Sequence, residues 1–350
     1  MPMITFVATD EHQYAIRDVL ETRKHPLNGR LVILSYDELL SSPRLPRSIY
    51  VFADLERLTA AEMRLVMRRI EALRQVCPEC GMLNLPDRVG SRLDIMRRLH
   101  EAGVNDFRML PITTPAEEFR YPVFLRRLDD HEGPRSELLA TPQALRDAIA
   151  ALDPADRQGD HFAVTEYVDA RNELGLHEKR SYMRVHDRLF PSALDQSQAW
   201  VCKGEYSDPN TRPAPDKELA FLQGEEDMEA LRAAFDAANI QYGRADYAVV
   251  GGRPQIFEIN TNPWLEPPEQ VPGAARRGAE HIIHAWIDAL AQLADKAPTS
   301  SVTWLEVPQA TSQAGRRLSR RSMAHSLLCK VHQLHNETQA MRWLRRVKLI

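Results

Sequence analysis

Short apolar runs and helical stripes alternate along the first ninety residues. Ile4–Ala8, Leu31–Ser35 and Ile49–Ala53 read as strands. Gln13–Thr22, and then Met63, Val66, Met67, Ile70 and Leu73, repeat at the spacing of one helix face. This alternation predicts a small parallel sheet covered by helices. Ser91 is placed to cap a helix that runs through Leu93, Met96 and Leu99 and stops before Gly103.

Beyond residue 110 the pattern changes. Tyr121–Leu128 predicts an apolar strand that enters the polar loop 129–134, and Thr141–Pro142 starts a helix with a threonine cap and a proline in the first turn. Phe162–Val168 and Lys179–Val185 read as two strands around the loop Asp169–Glu178. Glu225–Ala238 and Ala275–Ala294 read as helices, with a hairpin between them formed by Tyr247–Val250 and Gln255–Ile259. Residues 297–315, rich in Pro, Ser and Thr, read as a linker, and helical spacing returns at Leu327, Val331, Leu334, Met341 and Leu344.

At 350 residues, with 43% apolar and 27% charged side chains, the chain has ordinary globular usage and the length of about two domains. No run approaches the length of a membrane helix: even Ile282–Ala294 is broken by His284 and Asp288. The four cysteines are too few for a disulfide framework, and no signal-like segment opens the chain, so a cytoplasmic setting is expected. The net charge of −4 is uneven. Residues 311–350 hold nine basic side chains against one acid, Glu337, which is +8 and leaves −12 on the rest. An acidic body with a basic tail does not suit a whole-body nucleic-acid binder. The tail's helical spacing suggests packing on the acidic body or on a partner.

The chemistry concentrates in Tyr242–Pro263. With a three-residue loop Gly251–Gly252–Arg253, Val250 would face Pro254, Ala248 would face Ile256, and Asp246 would face Glu258. Opposed residues have Cβ atoms about 4.5–5.5 Å apart on one face of the sheet. Asn260, two residues beyond Glu258, shares that face, whereas Tyr247, Val249, Phe257 and Ile259 would point into a core. Two carboxylates that close repel unless a proton or cation lies between them. Their oxygen donors, with the Asn260 amide, suit Mg²⁺ and not zinc.

This hairpin resembles the ATP-grasp superfamily, whose metal signature is an aspartate on one strand and Glu-x-Asn on the next. Gly243–Asp246 and Glu258–Pro263 match it in the form found in D-alanine–D-alanine ligases. The resemblance extends in element order over residues 85–295. It places Arg92, eleven positions before Gly103, and Arg126, at the end of Pro122–Arg126, where the family keeps phosphate-binding lysines. It places the adenine contact on Glu166, Tyr167 and Val168, and a ribose or phosphate contact on Lys179. Arginine keeps the charge of lysine and binds phosphate bidentately, with a different reach. The phosphate loop is thin, with His131 and Gly133 as its candidates.

The resemblance implies an α/β (α+β) fold. An N-terminal parallel-sheet lobe spans 1–110, a small lobe 111–165 and a larger lobe 166–296 carrying the metal site, followed by the linker 297–315 and a basic helical tail 316–350. It implies ATP with one or two Mg²⁺ held by Asp246, Glu258 and Asn260, and Arg244 and Arg126 acting on the transferred phosphoryl group. The implied activity is an ADP-forming ligase that activates a small-molecule or peptide carboxylate as an acyl phosphate and joins it to an amine. A kinase-type phosphotransferase and a nucleotide-binding protein without turnover are the alternatives. Family members are often dimers, which leaves a homodimer open. Cys77 and Cys80 form a lone CxxC with no second pair, read as incidental, and Lys203 is read as an exposed lysine.

Overall fold

The computed structural model describes residues 3–20, 25–129, 133–158, 161–202, 213–271 and 273–309. The first lobe contains β1 (Ile4–Ala8), β2 (Leu31–Ser35), β3 (Arg44–Pro46), β4 (Ile49–Phe52) and β5 (Met82–Leu83). Four of them form a parallel sheet in the order β2-β1-β4-β5. Every residue of the central β1 is buried, as expected of a parallel strand covered on both faces. Helices α1 (Tyr14–Leu20), α2 (Tyr36–Ser41), α3 (Ala60–Val76) and α4 (Pro86–Val89) belong to this lobe, and α5 (Arg92–Glu101) follows them in the chain. Ser91 caps α5 as its sequence predicts: its hydroxyl accepts from the Asp94 N–H, and the Asp94 carboxylate accepts from the Ser91 N–H.

The small lobe is an antiparallel sheet, β6 (Met109–Pro111), β7 (Val123–Arg127) and β8 (Phe162–Glu166), in the order β6-β8-β7. It is joined by α6 (Pro142–Ala151) and α7 (Pro154–Gln158). Val123, Leu125, Phe162 and Val164 pack with Leu145 of α6 into a separate core. Strand alternation turns Phe124, Arg126 and Thr165 to the opposite face, towards the rest of the molecule.

The larger lobe is built on β9 (His177–Val185), β10 (Arg188–Ser197), β11 (Tyr242–Val250) and β12 (Arg253–Asn260), antiparallel in the order β10-β9-β11-β12. Helices α8 (Pro215–Leu222), α9 (Met228–Ala237) and α10 (Arg276–Asp295) accompany it. Ile283, Trp286, Ile287 and Leu290 of α10 share one core with Ile4, Phe6 and Val51 of the first lobe and Tyr242 of β11. Buried Asn84 also joins these lobes. Its amide donates to the Phe52 and Tyr242 carbonyls at 3.1 and 2.7 Å, and its oxygen accepts from the Gln241 and Tyr242 N–H groups at 2.8 and 3.1 Å.

Two elements differ from expectation. The stretch read as a linker carries β13 (Trp304–Glu306), antiparallel to β3 with Leu305 opposite Leu45. Leu305 and Val307 are buried, and these two apolar positions outweigh the surrounding Pro, Ser and Thr. Cys77 and Cys80, read as incidental, form a disulfide, because the turn after α3 sets their Cα atoms 5.5 Å apart, within bridging range. The expected helical tail 316–350, His131 and Lys203 lie outside the described residues. Among the described residues no helix is long and apolar enough to cross a membrane.

Candidate active site

Local backbone geometry at the β11–β12 hairpin decides where its acids point. The turn has two residues, not three. Gly251 and Gly252 both adopt positive φ, 58° and 77°, and Val250 pairs with Arg253. On that register alone Asp246 would miss Glu258. The register shifts between Asp246 and Tyr247, where Tyr247 pairs with Ile256 but Asp246 pairs with Glu258, so Phe257 is the extra residue of a β-bulge. The expected Asp246–Glu258 opposition therefore holds, whereas Ala248 faces Gln255 and not Ile256. Phe257 packs against the core as expected and also lines the cleft.

That cleft has a volume of about 510 Å³ and lies between the small lobe and the β9–β12 sheet. Arg126, Lys179, Arg244, Asp246, Glu258 and Asn260 all line it. Asp246 is buried. One oxygen accepts from Arg244 Nε at 3.0 Å and Ser181 Oγ at 3.0 Å, and the other lies 3.4 Å from Lys179 Nζ. Burial raises the Asp246 carboxyl and Glu258 raises it further, yet Arg244, Lys179 and Ser181 outweigh both and hold it below the usual carboxylate range. Burial lowers the Lys179 ammonium, but Asp246 and Asp195 carry it above its ordinary value. Lys179 stays charged at neutral pH.

Glu258 is held by cations from two other elements. Arg126 of β7 contacts its Oε2 directly, and Arg92 Nη2 at the start of α5 lies 3.5 Å from the same oxygen. Arg92 also donates to the Arg127 carbonyl at 3.1 Å. It is buried and does not line the cleft, so it supports Glu258 from behind. Asn260 accepts the Asn262 N–H at 2.7 Å through Oδ1, which orients its side chain. Arg244 Nη1 donates to the Trp264 carbonyl at 3.2 Å.

The far end of the cleft is aromatic. Phe124 and Trp200 have ring centroids 5.0 Å apart, and Tyr167 meets Trp200 edge-on at 6.0 Å. Tyr167 and Val168 follow β8 directly and line this end. The Glu166 carboxylate takes a separate role. It is 1% exposed and accepts from the backbone N–H groups of Arg108 and Arg120, each at 2.9 Å, and from both guanidinium groups. The residue's side chain is committed to these donors, and its backbone N–H donates to the Arg108 carbonyl at 3.0 Å.

Several residues of the cleft and its support have no local sequence signal. Ser181 reaches Asp246 because β9 pairs with β11, and Trp200 joins the aromatic end through contacts with Phe124 and Tyr167. On the first-lobe wall, buried Asp54 pairs with His12 Nδ1 at 3.0 Å and Arg57 Nε at 3.0 Å, and all three line the cleft. Asp54 stands more than forty residues from His12, too far for any spacing rule to join them.

Among the described residues no three His, Cys, Asp or Glu side chains cluster to hold a metal ion. The candidate set has two carboxylates and an amide. Its all-oxygen chemistry on one cleft face fits Mg²⁺, which takes few protein ligands and completes its shell with water and phosphate.

No family model and no curated protein matches the sequence. Solved structures do match the fold. D-alanine–D-alanine ligase from Bacillus anthracis complexed with ATP superposes with a TM-score of 0.51 at 13% identity, over 83% of this chain and 97% of the ligase. D-cycloserine synthetase is 16% identical with a TM-score of 0.46, over 82% of this chain and 99% of that one. A RimK-domain ATP-grasp protein from Sphaerobacter thermophilus is 14% identical with a TM-score of 0.47, over 84% and 99%. Of these three superpositions, only the first is close enough to bear on the fold. The chain has the ATP-grasp fold.

Proposed function

We propose that this protein is an ATP-dependent, ADP-forming ligase that couples a carboxylate to an amine. One observation carries the proposal: Asp246 and Glu258 stand opposite each other on a cleft face that also holds Arg126, Lys179 and Arg244. Three cations around two carboxylates suit a triphosphate with its counter-ion. The aromatic end at Phe124, Tyr167 and Trp200 suits a planar base. Asp246, Glu258 and Asn260 would hold Mg²⁺, which would supply positive charge to offset the negative charge that develops on the phosphates during transfer.

The residues of the chain act by position. Arg126 and Lys179 hold the triphosphate along the cleft. Arg244, fixed by Asp246 and the Trp264 carbonyl, presents its guanidinium to the γ-phosphate. The substrate carboxylate attacks the γ-phosphorus and ADP leaves with the bonding pair. The amine then attacks the acyl carbon, inorganic phosphate leaves, and the amine gives up a proton. No nucleophilic side chain is needed, because alignment and charge stabilisation supply the rate.

The test is a metabolite-pool screen for ATP-dependent ADP release, with hydroxylamine added to trap an acyl phosphate as its hydroxamate. A hydroxamate that forms only with ATP, Mg²⁺ and a particular acid supports the ligase. ADP release accompanied by a phosphorylated alcohol or sugar would assign a phosphotransferase instead. ATP binding by calorimetry without product from any pool would assign a binding protein without turnover.

A further inference from the structure

The two carboxylates of the site are unequally occupied by the protein itself. Asp246 is tied to Lys179 and Arg244, both on strands of its own sheet. Glu258 is tied across lobes. Arg126 arrives from β7, 132 residues away, and meets the Oε2 that Arg92 also approaches. Arg126 is 12% exposed and lines the cleft, whereas Arg92 is 6% exposed and does not. Of the two guanidinium groups, only Arg126 can be reached by a ligand in the cleft.

Building on the ligase reading, we propose that Arg126 is an exchangeable counter-ion of Glu258 that keeps divalent cations out of the site until a triphosphate draws it away. A guanidinium seated on a carboxylate oxygen competes for the lone pairs a metal ion needs, and it adds a like charge beside the incoming cation. Triphosphate oxygens offer the same planar fork several acceptors, so the arginine can leave Glu258 without becoming unpaired. Glu258 then turns from ion-pair partner to ligand. Arginine suits this exchange better than lysine, because its fork gives Nη2 to Glu258 in the free site and can give two parallel N–H groups to phosphate oxygens.

The experiment uses Mn²⁺ alone as the probe, on nucleotide-free full-length protein, with free Mn²⁺ followed by electron paramagnetic resonance. Arg126→Gln should bind Mn²⁺ at least tenfold more tightly than the wild type, and Arg126→Gln/Glu258→Gln should lose that gain. Equal Mn²⁺ affinity in wild type and folded Arg126→Gln overturns the proposal, as does a gain that survives in the double variant. If Arg126→Gln does not fold, Arg126→Lys, which keeps the charge but loses the fork, should show a smaller gain of about threefold. No gain there also overturns it. None of these titrations contains nucleotide, so failure of the ligase reading, seen as no binding of a fluorescent ATP analogue, is a separate result.

Discussion

Glu166→Gln tests how the segment that lines the aromatic end of the cleft is held in place. The carboxylate accepts two backbone N–H bonds at 2.9 Å and is gripped by Arg108 and Arg120, with its own side chain 1% exposed. In glutamine one of the two oxygens becomes an NH₂ group, and either choice sets it against three donors. Breaking a fully buried ion pair by removing one partner costs about 3–5 kcal/mol. Arg120 is 62% exposed and Arg108 29%, so water screens part of the loss, which brings the expected destabilisation to about 2–4 kcal/mol. Urea denaturation followed by circular dichroism measures it. Because Tyr167 and Val168 follow Glu166 directly, affinity for a fluorescent ATP analogue should fall as well, by roughly tenfold for each 1.4 kcal/mol transmitted to the cleft.

The pH dependence provides a second readout of the same residue. Burial raises the Glu166 carboxyl, but its bonds from Arg108 and Arg120 outweigh burial and leave it below its ordinary value of 4.5. A carboxylate depressed in the folded state contributes stability that is fully present above the unfolded value and is lost as pH falls through the folded one. Wild-type stability should therefore decline from about pH 4.5 downward, and Glu166→Gln should show a shallower decline. A destabilisation under about 1 kcal/mol, or an unchanged acid limb, would refute this account of the clamp.

Other outcomes follow from the same geometry. Asp246→Asn should reduce Mg²⁺-dependent turnover by at least roughly a hundredfold while leaving the fold largely intact, and an unchanged rate would reject the metal assignment. Gly243→Ala would place a Cβ 2.7 Å from the Asn260 carbonyl oxygen, so β12 must shift; turnover should fall and stability drop by about 1–3 kcal/mol, read by activity and melting. Asn84→Ala removes four hydrogen bonds, three of which join the first lobe to Gln241 and Tyr242 at the start of β11, and should cost about 2–4 kcal/mol by denaturant midpoint, with Asn84→Asp retaining part of them.

Much of the architecture was legible in the chain because it depends on local periodicity. Ile4–Ala8 and Leu31–Ser35 occur as strands with the predicted bounds, and the Ser91 and Thr141 caps open their helices as expected. The Asp246–Glu258 opposition was also legible, although the path to it was not. A two-residue glycine turn and a bulge at Phe257 together give the side-chain phase that a three-residue loop would have given. Only the folded chain could show which way Phe257 turns, since a bulge is set by packing on both sides of the hairpin and leaves no trace in residue spacing. The same holds for Glu166. Its position at the end of β8 follows from sequence, but its commitment to Arg108 and Arg120 depends on residues 58 and 46 positions away. Arg126 on Glu258, Asn84 on β11 and β13 on β3 likewise pair groups far apart in the chain. Sequence alone determined the strands, the caps and the set of chemical groups, because those follow from period and residue type. Tertiary structure decided which charges neutralise one another, because that depends on distances that exist only after the three lobes have closed around the cleft.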